Sequence, residues 1–348
     1  MRLRPEIAAV PPYQQGRPAP QGGFKLSSNE NPFPPLDAVV EAVQAEAERV
    51  NRYPRPGAPE LRQALAQELG VDVERVLIGD GSATLIQQLI HAVAGPGDEV
   101  VYAWRSFDAY PLFVRTGGAT PIEVPVDAEH KHDLDAMAAA ITERTKVVVV
   151  CTPNNPTGPA VTRRELEEFL AKVPPHVLVV VDEAYREFVR IDDPVDAVDL
   201  YRDRENVVVM RTFAKAYGLA GFRVGYAVAP APVAAAIRAC ALPFGVSSVA
   251  QAAAVASLER EAELLERVDG IVAERERVVA ALRDQGFDVP DAQGNFVWLA
   301  LGDRTLEFAQ AAEEAGVMVR PFAGDGARVS IGEPAGNDVL LSVTPRFA

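Results

Sequence analysis

A lysine set just past a buried strand is the first residue of this 348-residue chain that could do chemistry. Lys215 follows the apolar run VVVM (207–210) and stands between two small residues, Ala214 and Ala216. An amine placed there is partly stripped of water. Desolvation disfavours its charged form and leaves a nucleophile fit to make an imine with a carbonyl. A surface lysine in a glycine-rich loop is the competing reading. Asp182 ends the run VLVVV. A carboxylate buried at a strand end is costly unless a cation meets it, and a protonated ring nitrogen would suit. An acid that only caps a loop is the alternative. Tyr185, three residues on, lies within reach of a hydroxyl on the same ring.

Two further segments offer binding chemistry. NNPTG (154–158) is a rigid turn, in which Pro156 fixes its own backbone and Gly158 permits a positive φ. Asn155, ahead of the proline, is driven extended, and its amide is directed toward a crevice; a plain turn is the other reading. DGSAT (80–84) opens a helix. The free N–H groups of Gly81 and Ser82, together with the helix dipole, make an anion site, or else an ordinary N-cap. Arg223, eight residues after Lys215, offers a bidentate grip on the same anion or a surface ion pair.

These groups need a scaffold, and the hydrophobic pattern names one. Short apolar runs, VLIG (76–79), EVVYA (99–103), KVVVVC (146–151), VLVVVD (177–182) and VVVM, alternate with helical stretches near 82–94 and 107–117. Near-continuous apolar strands belong to parallel sheets covered on both faces, so the class is α/β. RVGYAVA (223–229) is expected to close the set as an antiparallel strand. Each candidate segment falls at the carboxyl end of a predicted strand, where ligand crevices lie in open α/β sheets. A helix is predicted at 36–50, and residues 247–286 carry helical spacing with a break expected at Gly270. The first 35 residues, rich in Pro, Gly and Gln, read as an extended arm rather than a packed element. The organisation expected is an arm at 1–39 that packs on the smaller domain or on a partner subunit, a large domain at 40–232 and a smaller α+β domain at 233–348.

The formal net charge of −15 argues against nucleic acid as a partner. Two distant cysteines do not make a disulfide framework, and Cys151, within a valine run, is expected to be a buried structural thiol. The opening MRLRPEIAAVPPY has no apolar h-region, and no run of 18 apolar residues follows, so neither a signal peptide nor membrane association is expected. The localisation expected is cytoplasmic, and no metal is expected.

Taken together and in order, LSSNENPF, NRYP, PNNPTG, DEAY, FAKAYGLAGFRVGY and ARVSIG resemble the fold-type-I pyridoxal-phosphate aminotransferases, in the branch of histidinol-phosphate and aromatic amino-acid aminotransferases. The likeness spans nearly the whole chain. It implies a large domain with a mainly parallel seven-stranded sheet, a smaller α+β domain, and pyridoxal 5'-phosphate as cofactor. It implies that Lys215 is the Schiff-base lysine and moves the proton, that Asp182 pairs with the pyridine nitrogen, and that Asn155 and Tyr185 bond the ring oxygen. Phe107 would stack on the ring, and Gly81, Ser82, Thr212 and Arg223 would hold the phosphate. Tyr53 would reach that phosphate from the other subunit of a homodimer. Arg328 would bind the substrate carboxylate or an equivalent anion, with Asn29, Tyr13 and Asn155 also touching substrate. One position departs from the pattern: relatives often carry a hydroxyl residue where this chain has Ala214, and one phosphate hydrogen bond, worth roughly 1 kcal/mol, would be absent.

The activity so implied is ping-pong transfer of an amino group from an amino acid to a 2-oxo acid such as 2-oxoglutarate. The segments WRSFDAYP, LPFGVSS and QGNFVWLAL look more like the aromatic (phenylalanine) enzymes. Histidinol phosphate is the alternative substrate. A lyase or decarboxylase on the same fold is a more distant one.

Overall fold

The computed structural model describes residues 5–8, 10–13 and 16–348. The parts of the expected arm at 1–4, 9, 14 and 15 lie outside the described residues. Twelve strands follow in chain order: β1 (Phe24–Lys25), β2 (Val76–Gly79), β3 (Glu99–Trp104), β4 (Thr120–Pro125), β5 (Thr145–Cys151), β6 (Leu178–Asp182), β7 (Val207–Thr212), β8 (Gly225–Val228), β9 (Phe296–Leu299), β10 (Val317–Met318), β11 (Arg320–Phe322) and β12 (Gly326–Ser330).

Seven strands form the main sheet in the order β2-β8-β7-β6-β5-β3-β4. β4, β3, β5, β6 and β7 run parallel to one another, while β8 is antiparallel to both β7 and β2, as its sequence led us to expect. The valines of β5, β6 and β7 are all but inaccessible. Alternate side chains face opposite ways, so each strand feeds two cores. On one face Val149, Val180 and Val208 pack with Leu85, Leu89 and Phe113 from the helices Ser82–Val93 and Tyr110–Gly117. On the other, Val148, Val181 and Val209 meet Leu166, Phe169 and Tyr201. Each such valine contributes roughly 1.5–3 kcal/mol by leaving water. The sheet is therefore a stiff platform, and its carboxyl-end loops inherit that stiffness.

A second core gathers the helices after residue 247 around the three-stranded sheet β11-β12-β9. Its helices correct one expectation. Gly270 does not break anything: the helix Glu261–Asp284 runs straight through it, and the interruption falls earlier, after the helix Ser248–Leu258. A glycine inside a helix costs only about 1 kcal/mol, and Val268, Ile271 and Val272 beside it are buried, which outweighs that cost.

The arm carries an ordered element that its composition did not reveal. Phe24–Lys25 is a strand, paired in parallel with Val317–Met318 of the expected smaller domain, and Leu26 is fully buried. The abundance of proline and glycine upstream masked the short run FKL, which has enough apolar surface to dock.

Candidate active site

One cavity of about 640 Å³ opens at the carboxyl ends of β5, β6 and β7, and its wall includes Phe107, Asn155, Asp182, Lys215, Arg223 and Arg328. Ser82, Thr212, Tyr185 and Tyr13 also line it. Residues from seven separate stretches of sequence thus converge, most of them because parallel strands end side by side. Cys151 and Asp182, for example, are register partners at the last step of β5 and β6.

Lys215 sits in the turn after β7, its ammonium donating to the Ser28 carbonyl at 3.2 Å. Burial, then the positive charge of Arg328, pushes its pKa down to about 7. The neutral amine is therefore within reach near neutral pH, as it is not for a surface lysine. Asp182 is buried and accepts hydrogen bonds from the Tyr110 hydroxyl (2.7 Å) and the Ala184 amide (3.2 Å). Burial raises its pKa to about 6, against the pull of the Tyr110 bond. No arginine or lysine makes a salt bridge with it among the described residues. A buried acid with no cationic partner of its own leaves room for a cationic ligand.

At the other end of the cavity, Gly81 (φ 94°, ψ 155°) precedes the helix Ser82–Val93. This conformation is essentially restricted to glycine. The missing side chain matters as well: a Cβ there would lie 2.6 Å from Arg223 Nη2. Arg223 itself holds a left-handed φ of 54°. The helix amino end and this guanidinium together make an anion cradle. Thr212 adds a hydroxyl whose oxygen accepts from the Ala214 amide at 3.1 Å. Gly81→Ala should cost about 1–3 kcal/mol of stability through backbone strain. By displacing Arg223 it should also weaken binding of a phosphorylated cofactor roughly tenfold to a hundredfold. Thermal melting and an equilibrium cofactor titration read the two effects separately.

Arg328, on β12, is buried: its Nη1 donates to Asn155 Oδ1 at 2.6 Å and its Nη2 to the Ser27 carbonyl at 2.8 Å, while Nε has no partner. A buried guanidinium bound only by neutral oxygens carries an uncompensated charge facing the cavity. Phe107 presents its ring to the cavity and meets Tyr110 and Tyr13 edge-on, with centroids at 5.4 and 6.4 Å.

Two sequence candidates lie elsewhere. Asn29 is fully buried and does not reach the cavity wall. Its Nδ2 donates to the Tyr185 hydroxyl at 3.0 Å, and its Oδ1 accepts from Ser330 at 3.0 Å, so it positions Tyr185 from behind. Tyr53 is 82% exposed and stacks on Phe244 at 4.6 Å, away from the cavity of its own chain. Sequence reasoning passed over Tyr110, the hydrogen-bond donor to Asp182. It lies three residues after Phe107, and that spacing was the available signal. It also passed over Asp108 and Arg320, which form an ion pair at 2.7 Å beside the cavity.

With this geometry in place the comparisons are decisive. The aminotransferase class I and II family matches residues 21–343. The chain belongs to that family. It is an aminotransferase of fold type I. Aromatic amino acid aminotransferases of Streptomyces avermitilis and Thermobifida fusca are 56% and 57% identical to it, each over 99% of this chain and 97% of the relative. A histidinol-phosphate aminotransferase of Sinorhizobium meliloti, solved in complex with pyridoxal-5'-phosphate, superposes with a TM-score of 0.89 at 28% identity, covering 99% of this chain and 97% of that one. No helix among the described residues of this aminotransferase is long and apolar enough to cross a membrane.

Proposed function

We propose that this aminotransferase uses pyridoxal 5'-phosphate to move the amino group of aromatic amino acids, phenylalanine above all, to 2-oxoglutarate. The observation that carries the reading is the joint presence, in one cavity, of a near-neutral Lys215, an unpaired acid at Asp182 and the uncompensated cation of Arg328. The residues fit the cofactor at each of its ends. The Gly81 and Ser82 helix start, Thr212 and Arg223 would hold the phosphate. Asp182 would face the ring nitrogen, Asn155 and Tyr185 the ring oxygen, and Phe107 the ring face. When bound, the cofactor supplies an aldehyde and an electron sink.

The chain's own groups do the rest. Lys215 would supply the amine for the aldehyde and, when freed by the substrate amine, would take the proton from the substrate α-carbon and deliver it to the aldehyde-derived carbon, a 1,3-shift. Its lowered pKa suits it to both tasks at neutral pH. Asp182 would keep a positive charge on the ring nitrogen. Arg328 grips the substrate carboxylate, while Asn155 links that grip to the cofactor side of the cavity. The two half-reactions run in sequence at one site, which gives ping-pong kinetics. Phe107 and Tyr13 offer the side-chain pocket its aromatic edges. The names of the relatives at 56% and 57% identity point the same way.

We further propose a homodimer in which the exposed Tyr53 reaches the cofactor phosphate of the other subunit, a cytoplasmic location, and the division into arm, large domain and smaller domain. The exposed aromatic pair Tyr53 and Phe244 supports the dimer, and the separate sheets support the division into domains.

A second reading, transamination of histidinol phosphate, has one observation in its favour: a second arginine, Arg320, beside Arg328. A paired assay with 2-oxoglutarate decides between them. Phenylalanine should be preferred over histidinol phosphate by about tenfold or more in kcat/KM. The reverse preference would replace the aromatic reading.

A further inference from the structure

The carboxylate-binding arginine does not stand alone. Arg320 on β11 and Arg328 on β12 are direct cross-strand partners, so their side chains leave the sheet on the same face a few ångströms apart. Both line the cavity. Like charges placed opposite each other in a sheet repel, and the pair is tolerable only if something compensates it. The compensation is unequal. Arg328 meets only neutral oxygens. Arg320 donates to Asp108 at 2.7 Å, and both side chains of that pair are mostly shielded from solvent, at 16% and 20% exposure. Shielding keeps the pair strong and holds it together. Asp108 is placed by the turn that also presents Phe107, immediately after β3.

We propose that Asp108 is a specificity-determining residue: by neutralising Arg320 it sets this end of the cavity for a singly charged carboxylate and against a doubly charged phosphate monoester. Two free guanidinia side by side make a dianion site. One free guanidinium beside a neutralised one makes a monoanion site. Asp108 touches Arg320, and it discriminates through that arginine's charge. The inference rests on the reading of Arg328 as the anion-binding residue, and it explains why two arginines need not mean a phosphorylated substrate.

The test uses the cofactor-loaded protein, so that the cofactor's own phosphate site is filled. Calorimetry measures the Kd of two probes that share a ring and differ in charge, 3-phenylpropanoate and phenyl phosphate, at a pH where the latter is a dianion. Asp108→Asn should shift the ratio of affinities toward phenyl phosphate by about tenfold or more. In turnover, kcat/KM for histidinol phosphate should rise relative to phenylalanine. Asp108→Glu keeps the charge and should keep the wild-type ratio. Arg320→Gln, which strands the carboxylate, should shift the ratio the opposite way, and this arm stands even if Asp108→Asn folds poorly. An unchanged ratio in Asp108→Asn, or a shift in the same direction for Arg320→Gln, overturns the proposal. If the wild type transaminates neither substrate, the proposed function fails, while the two Kd values still decide the part played by Asp108.

Discussion

Lys215→Ala should lower kcat for phenylalanine transamination by about 10⁴-fold, at the upper end of what a single acid–base group supplies and before any loss of covalent catalysis is counted. The argument starts from the amine's environment. Burial and the charge of Arg328 bring its pKa to about 7, so near neutrality it exists as acid and base in comparable amounts. Neither the Tyr185 hydroxyl nor the Asp182 carboxylate can substitute. Burial drives the tyrosine's pKa up, so near neutral pH it stays a protonated phenol with no phenolate present to take the proton. The carboxylate is tied to Tyr110 and the Ala184 amide. Borohydride should fix the cofactor to the wild type at position 215 and leave the variant unlabelled. A titration should show that the variant still binds the phosphorylated cofactor, because Arg223 and the helix start at Ser82 are untouched. Full multiple turnover by the variant would overturn the assignment of the lysine.

The same environment fixes a sign for the pH dependence. The neutral amine, freed once substrate has bound, is the active base, and its pKa is depressed, so kcat should climb as pH rises through about 7 and flatten above it. An ordinary lysine would put that rise near pH 10. Arg328 is the largest charged contributor to the depression, ahead of Arg223 and Lys25, so a variant lacking its charge should move the midpoint upward as well as weaken substrate binding.

Much of this was legible before any coordinates, and the reason is geometric. The long valine runs identified parallel strands, and strand ends in such sheets converge on one crevice. Asp182, Asn155, Thr212 and Lys215 could therefore be placed together from sequence. Arg328 could be named by its motif, but not its partners, because its contacts to Asn155 and Ser27 join segments 173 and 301 residues apart. Asn29 shows the limit most clearly. Its motif marked it as important, yet only packing reveals that it faces Tyr185 rather than the cavity. The Asp108–Arg320 pair spans 212 residues, and neither partner stands out in its own segment. Gly270 erred the other way: a local signal was overruled by the burial of its neighbours.

Asp182→Asn should separate catalysis from stability. With the cofactor bound as proposed, the buried acid would face a cationic ring nitrogen, and removing one member of such a pair costs about 3–5 kcal/mol. As a loss of electron-sink capacity this should lower kcat by roughly 10²–10⁴-fold. Without the cofactor the sign reverses. Burial raises the acid's folded pKa from its ordinary value to about 6. The ionised form is thus the disfavoured one in the folded protein. Its destabilising effect is absent below the unfolded pKa, grows as pH rises, and is complete above about 6. A neutral asparagine of the same shape removes that effect, so the cofactor-free variant should melt no lower than the wild type at pH 8. The cofactor-loaded variant should melt lower than its wild-type counterpart, because weaker binding contributes less stabilisation. Melting curves of both forms at pH 8 and pH 5 read this crossover. If the cofactor-free variant melts several degrees lower at pH 8, Asp182 holds the fold through Tyr110 instead of waiting for a cation.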